Sequence, residues 1–370
     1  MKRVLIALSV GASMLLTACG GNSGATNPST GAPAVIVPTP PAAALQGAGA
    51  TFPQPFYDAA RFAYNKKFSQ VTINYQGVGS GGGINQLTKK IVDFGASDVP
   101  LKASEAAAMG GSDNVVQIAS TLGTVSLAYN LDGVADGQLK LTPATIAGIF
   151  LGKITKWNDS ALAADNSGVS LPNQDIRVVH RSDGSGTTYI FTDYLSSVSA
   201  DWKAKTGGPG KSISWPVGDG AQGNAGVATR VTQTPGAIGY VELAYVLQTR
   251  MKQAALKNAA GNFVIPSAAG ATAAAQAFAG TTPSNFSIVN ASGKDSAPIS
   301  GYSWIILYKD QADKTKGTAL VDYLYWLTTA DGQQYAVNLH YAALPGSMAS
   351  FDVAALKNVT SGGSALLSVS

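Results

Sequence analysis

Three times along this chain, a glycine-rich run bearing a serine or threonine leads straight into a segment whose apolar residues recur at helical spacing. The runs are Gly47-Ala-Gly-Ala-Thr51-Phe52-Pro53, Gly77-Val-Gly79-Ser80-Gly-Gly-Gly83 and Arg181-Ser-Asp183-Gly-Ser185-Gly-Thr187. Phe56, Ala60, Ala63 and Tyr64 form a buried face after the first, with Thr51 as a potential cap and Pro53 in the first turn. Ile84, Leu87 and Ile91 follow the second, and Ile190, Phe191, Tyr194, Leu195, Val198 and Trp202 follow the third. Short β-type runs lie between the helical patterns, at Val71–Tyr75, Val125–Asn130, Ile176–Val179, Ala237–Val241 and Trp304–Tyr308. Leu320–Trp326 continues helically toward Asn338, and residues 255–285, rich in Ala, Gly, Ser and Thr, read as a helix with loops. This alternation predicts α/β layers with mostly parallel sheets, and 370 residues suffice for two such domains. No internal repeat is visible.

A helix start exposes unpaired backbone N–H groups and the positive end of the helix dipole, and glycine lets a ligand come close to them. Hydroxyl groups add donors, so each run is a candidate anion site, although any one of them alone is equally a capped helix start. Arg181 offers a planar fork of donors, which Asp183 can hold in place. Asp98, in Asp93-Phe-Gly-Ala-Ser-Asp98-Val-Pro100, adds repulsion beside an anion unless that anion carries a proton. Phosphate near neutral pH does carry one and sulfate does not, so Asp98 would discriminate between them. The plainer reading of Asp98 is a loop or capping carboxylate ahead of Pro100.

The N-terminus reads as an address. Lys2-Arg3 precede an apolar stretch from Val4 to Leu16, too short for a comfortable membrane span, and then Leu16-Thr17-Ala18-Cys19. That is the pattern of a lipoprotein signal peptide over residues 1–19, with lipid on the Cys19 sulfur, although an ordinary signal peptide with a chance cysteine also fits. Residues 20–44 are rich in Gly, Pro, Ala and Thr, cannot build a core and read as a tether, spanning about 75 Å if extended. Cys19 is the single cysteine, so no intrachain disulfide forms, and the only histidines, His180 and His340, lie far apart. No metal site or cofactor is expected. A net charge of +4 without a basic, aromatic-interleaved run argues against nucleic acid. The glycine runs carry no Walker lysine, and nothing orients His180 toward Ser185 as a base, so no catalytic residues are assigned.

The ordered set of motifs resembles the PstS family, the substrate-binding proteins of bacterial phosphate-specific ABC importers. Beside the three glycine runs and Asp93–Asp98, it includes Leu151-Gly-Lys-Ile-Thr-Lys-Trp157-Asn-Asp159, Trp215-Pro216, Gly223-Asn224-Ala-Gly226, Pro235-Gly-Ala-Ile-Gly-Tyr240-Val-Glu242 and Tyr341-Ala-Ala-Leu344-Pro345. The resemblance spans nearly all of residues 45–352. It implies phosphate contacts from the Thr51 hydroxyl, the Phe52 N–H, Ser80, Asp98 as acceptor of the ligand proton, the Arg181 fork, Ser185, Gly186 and Thr187, with Asp183 orienting the arginine. Gly81 departs from the family, which often has serine there; His180 stands at a variable position, and the lipobox and tether occur in some members only.

The same resemblance implies a two-lobed, type II-like periplasmic binding protein fold with two crossing strands as a hinge, near Thr121–Thr124 and Ser300–Ser303. Lobe I would combine residues 45–122 and 301–370, and lobe II would be residues 123–300. Phosphate would bridge the lobes and favour a closed form recognised by the membrane permease subunits of the importer. Another oxyanion such as arsenate, or a surface interaction or signalling role on the same fold, stands as the alternative.

Overall fold

A computed structural model describes residues 38–278 and 280–367; the expected signal peptide, Cys19 and most of the tether lie outside them. Strand β1 (Ala43–Gly49) opens the fold, followed by helix α1 (Gln54–Lys67), β2 (Val71–Gly77), α2 (Ser80–Thr88), β3 (Phe94–Ser97), α3 (Ala103–Ala108) and the long strand β4 (Val115–Tyr129). Ala43 and Ala44, assigned by composition to the tether, belong to β1, because their backbone pairs with Val71 and Thr72 whatever their side chains. α1 buries Phe56, Ala60 and Tyr64 as the helical spacing predicts, and Tyr57 besides, while Ala63 is half-buried.

The main sheet runs in the order β2-β1-β3, then Ser300–Tyr308, β4, Ala237–Glu242, Arg177–Arg181 and Asp219–Ala221. Parallel pairing holds at its two outer ends. The centre is antiparallel, so the sheet is mixed rather than mostly parallel. The reason is topological: β4 leads out of one half-sheet into the other, and the return strand Ser300–Tyr308 brings the chain back in the opposite direction. Thr121–Thr124 pairs with Ser303–Ser300 in this crossing.

Four helical expectations are shortened or split by local structure. α2 ends at Thr88, Lys90 takes a left-handed φ of 57°, and Ile91 is 62% exposed instead of buried. The Ile190–Trp202 face is split into Gly186–Val198 and Ala200–Thr206 by Ser199, whose hydroxyl caps the second helix through Trp202 N–H, while Trp202 stays buried. Thr329, in extended conformation, separates Lys314–Thr328 from Ala330–Val337. Within 255–285 the helix is limited to Ala268–Gln276, preceded by the short strands Ala255–Lys257 and Phe263–Val264.

The crossing carries a β-bulge. Ser303 pairs with Thr121 but Trp304 pairs with Ala119, leaving Ser120 as the extra residue on β4. Side chains satisfy the ladder groups that the bulge frees. Ala119 N–H donates to the Asp352 carboxylate (2.8 Å), Ser120 O accepts from Gln333 Nε2 (3.0 Å), and Ser120 Oγ meets Tyr57 Oη (2.6 Å) and donates to Ser303 O (3.1 Å). Gln333 also donates to Leu327 O and accepts from Leu344 N–H. Replacing Gln333 with Leu strands these buried groups at about 1–3 kcal/mol for each left unpaired. A lower urea midpoint at unchanged slope is the expected result; an unchanged midpoint would show that the bulge does not need this side chain.

Candidate functional site

Every residue singled out on the three glycine runs, together with Asp98, converges where the two half-sheets face each other. Thr51, Phe52, Ser80, Asp98, Arg181, Ser185, Gly186 and Thr187 are all buried. Thr51 does not cap α1: that helix begins behind Pro53 without a side-chain cap. The Thr51 Oγ1 instead accepts from both the backbone N–H (3.1 Å) and the Nδ2 (3.0 Å) of Asn224. Ser80 opens α2 and its Oγ accepts from the N–H groups of Asp98 (3.2 Å) and Gly186 (3.1 Å). Thr187 Oγ1 accepts from Arg181 Nη1 (3.3 Å) and Asn224 Nδ2 (3.1 Å).

This arrangement fixes the direction of the remaining hydrogen bonds. A hydroxyl has two acceptor lone pairs and one hydrogen. With both lone pairs occupied, Thr51, Ser80 and Thr187 can only donate. Among the described residues, the N–H groups of Phe52 and Ser80 also have no protein acceptor. The site therefore gathers donors around Arg181, which suits a ligand made of acceptor oxygens.

Arg181 stands at the end of Arg177–Arg181, with its N–H on the buried Tyr240 hydroxyl (2.9 Å). Asp183 grips one edge of the guanidinium, Nε to Oδ1 at 2.7 Å and Nη2 to Oδ2 at 2.5 Å, and leaves Nη1 facing Thr187. Asp183 also accepts from Gly223 N–H. Burial pushes the Asp183 carboxyl up, but the hydrogen bonds and charge of Arg181 outweigh this and hold it below its ordinary range. Gly79, at φ 82°, must be glycine, since a Cβ there would lie 2.2 Å from Asp183 Oδ2.

Asp98 is the opposing acceptor. Its Oδ1 takes a 2.6 Å hydrogen bond from Ser303, and its Oδ2 faces Gly186, where a Cβ would approach to 2.5 Å. Burial pushes Asp98 up to about 7, against lowering by the Ser303 bond and the Arg181 charge.

Contacts across the cleft hold the halves together. Gly81 N–H donates to Gly184 O (2.8 Å), with Cα so close that a Cβ on Gly81 would stand 3.3 Å from it. Tyr245 reaches Thr51 O (2.6 Å), and Tyr341 donates to Phe52 O (2.7 Å) and meets Glu242 (3.1 Å). Lys211 holds Ser185 N–H through its carbonyl and pairs with Glu105 on α3 through its ammonium.

The description "PBP superfamily domain" matches residues 34–331. A phosphate-binding protein PstS of Xylella fastidiosa is 44% identical over 318 residues, 84% of this chain and 85% of the relative. The chain belongs to the PstS family. Another PstS, from Pasteurella multocida, is 43% identical over 310 residues, covering 83% of this chain and 88% of that one. Among solved structures, a phosphate-binding protein from Stenotrophomonas maltophilia shares the two-lobed fold with a TM-score of 0.66 and 23% identity, covering 85% of this chain and 94% of that chain.

Two residues of this family member escaped assignment from sequence. Asn224, fully buried, bridges Thr51 and Thr187 and accepts from Glu242 N–H; its signal was a fourth glycine-led helix start, Gly223-Asn224, with Gly223 at φ 69°. Ser303 lies in a strand, and no local signal marks it. His180 stacks on Trp215 with ring centroids 4.7 Å apart, and His340 is exposed. Ser185 caps its own helix through Thr188 N–H.

Asp98 makes stability depend on pH with a defined sign. Its folded value of about 7 exceeds the ordinary 3.8, so between these values the folded protein holds a proton that the unfolded chain releases. Stability from this group is present at low pH and falls as pH rises toward 7. Asp98→Asn removes the titration. Without added oxyanion, the variant's melting temperature should gain on the parent between pH 5 and pH 8. A pH-independent difference would contradict the assignment.

Proposed function

We propose that this protein captures inorganic phosphate outside the cytoplasm and delivers it to the membrane permease subunits of an ABC importer. The observation that carries this reading is the conversion of Thr51, Ser80 and Thr187 into obligate donors around Arg181, against the single acceptor Asp98. The donors complement the oxygens of an oxyanion, and the acceptor complements its proton. The names of the relatives, phosphate-binding proteins, support the same ligand. On the loop Ser185 adds its hydroxyl, which already accepts from Thr188 N–H, and Gly186 acts through Ser80, to whose Oγ it gives its N–H; Phe52 adds its N–H. Arsenate shares the shape and protonation of phosphate and would enter the same site, whereas sulfate leaves Asp98 without a proton to accept.

Binding would close lobe I (45–122 and 301–370) on lobe II (123–300) about the paired strands, because Thr51, Ser80 and Asp98 stand on one side and Arg181–Thr187 on the other. Only the closed form brings both sets to one anion. Export follows from the N-terminal segment, with lipid on Cys19 and residues 20–44 as a tether. Among the described residues no helix is long and apolar enough to cross a membrane, so that lipid would supply the attachment.

Calorimetric titration should give one-to-one binding of phosphate and no heat with sulfate; silence toward phosphate would overturn the proposal. Arg181→Ala removes a charged donor and strands Asp183, and phosphate affinity should fall at least about tenfold to a hundredfold. Unaltered affinity would place the site elsewhere. Asp98→Asn supplies a donor in place of an acceptor and should narrow the gap between phosphate and sulfate; an unchanged gap would remove Asp98 from proton recognition. Labelling with a radioactive fatty acid should mark the parent and not Cys19→Ser, and equal labelling would refute the anchor.

A further inference from the structure

The bulged crossing ends at the selectivity carboxylate. β3 and the return strand pair antiparallel up to Ser97 and Trp304. One step beyond, Ser303 faces Asp98 and its hydroxyl donates to Oδ1 at 2.6 Å, with both residues buried. Ser303 is held on its backbone side by the bulge, since its carbonyl accepts from Ser120 Oγ, which in turn meets Tyr57. Asp98 N–H is held by Ser80 Oγ. The carboxylate is thus fixed at its backbone and at Oδ1, and Oδ2 is turned to Gly186 on the arginine loop, from which the Thr187 N–H also bears on the carboxyl.

We propose that Ser303 is a positioning residue for oxyanion selectivity: it occupies Asp98 Oδ1 so that Oδ2 alone is presented to the ligand, as an acceptor. This rests on the phosphate reading above. A serine hydroxyl donating to Oδ1 favours the carboxylate form, which takes a proton from the ligand and cannot give one. The bond lies within one half-sheet, so it does not depend on cleft closure and prepares Asp98 before the ligand arrives.

Without the Ser303 hydroxyl, Asp98 keeps its burial, and a proton on the carboxyl becomes easier to retain. The protonated acid would donate to the ligand and so accommodate sulfate. Arg181 and Asp183 face Asp98 and act on it in opposite directions, and Glu242, Tyr57, Tyr75, Tyr245 and Tyr341 share its surroundings. All of these remain in a Ser303 variant, so any change in the pH profile reports the lost hydroxyl.

The test is the ratio of phosphate to sulfate dissociation constants for the full chain, measured at pH 6, 7 and 8.5. The variants are Ser303→Ala, Ser303→Cys and each of these combined with Asp98→Asn. In Ser303→Ala the preference for phosphate should fall about tenfold to a hundredfold at pH 7, the scale of one hydrogen bond to a charged group, and much less at pH 6, where Asp98 of the parent already holds a proton. It should recover toward the parent at pH 8.5, where Asp98 ionises. Ser303→Cys, of similar volume with a weaker donor, should lie between, and decides the matter if the alanine variant does not fold. In the Asp98→Asn background neither substitution should alter the ratio. Equal weakening of both anions at every pH, or an unchanged ratio, would overturn the role of Ser303. A parent chain that fails to bind phosphate would instead overturn the phosphate reading itself.

Discussion

The antiparallel pairing of β4 with the return strand Ser300–Tyr308 is the constraint on which the rest of this fold depends. It is the seam between two half-sheets, each parallel at its outer end and antiparallel where it joins the crossing. The seam is irregular at one place only along its register, at Ser120. There two backbone groups that a regular ladder would pair are satisfied by Gln333 and Asp352, and Tyr57 holds the Ser120 hydroxyl, so three helices contribute. Burial pushes Asp352 up to about 8, against lowering by the Ala119 N–H bond. The bulge is thereby part of the core, and its position decides which residue of the return strand meets Asp98.

At the proposed site, recognition would be a matter of hydrogen-bond direction more than of charge. Arg181 supplies the positive group there among the described residues, and Asp183 already occupies two of its donors. What makes the surroundings acceptor-seeking is that the lone pairs of Thr51, Ser80 and Thr187 are filled by neighbouring N–H groups. In a buried cleft an unpaired donor is costly, so these groups reward a ligand that accepts from all of them and penalise one that does not. Asp98 adds the reverse requirement at a single point.

The helix-start chemistry was legible because it is local. Glycines that permit close approach, hydroxyls beside them and an apolar face three and four residues apart are properties of a few consecutive residues, and Arg181-Ser-Asp183 contains its own ion pair. Thr51 shows the limit of such reading. Its sequence suits a helix cap, yet its hydroxyl serves Asn224, far along the chain. Ile91 shows another limit: spacing alone continued the helix past Thr88, while Lys90 in left-handed conformation ended it.

By itself, the sequence determined the strand and helix alternation and three candidate anion-binding helix starts, one of them with Arg181 beside Asp183; Asp98 stayed open between a loop carboxylate and a proton acceptor until the order of motifs was set beside the PstS family. These depend on side-chain type and on periods of two and 3.6 residues, which neighbours along the chain reveal. Only the tertiary structure decided that the sheet is antiparallel at its centre, that Asn224 turns two hydroxyls into donors, and that Ser303 fixes Asp98. Each of these joins segments far apart in the chain, where direction and register arise from the crossing of β4 and the return strand. A one-residue bulge at Ser120 changes that register without leaving a mark in the local sequence.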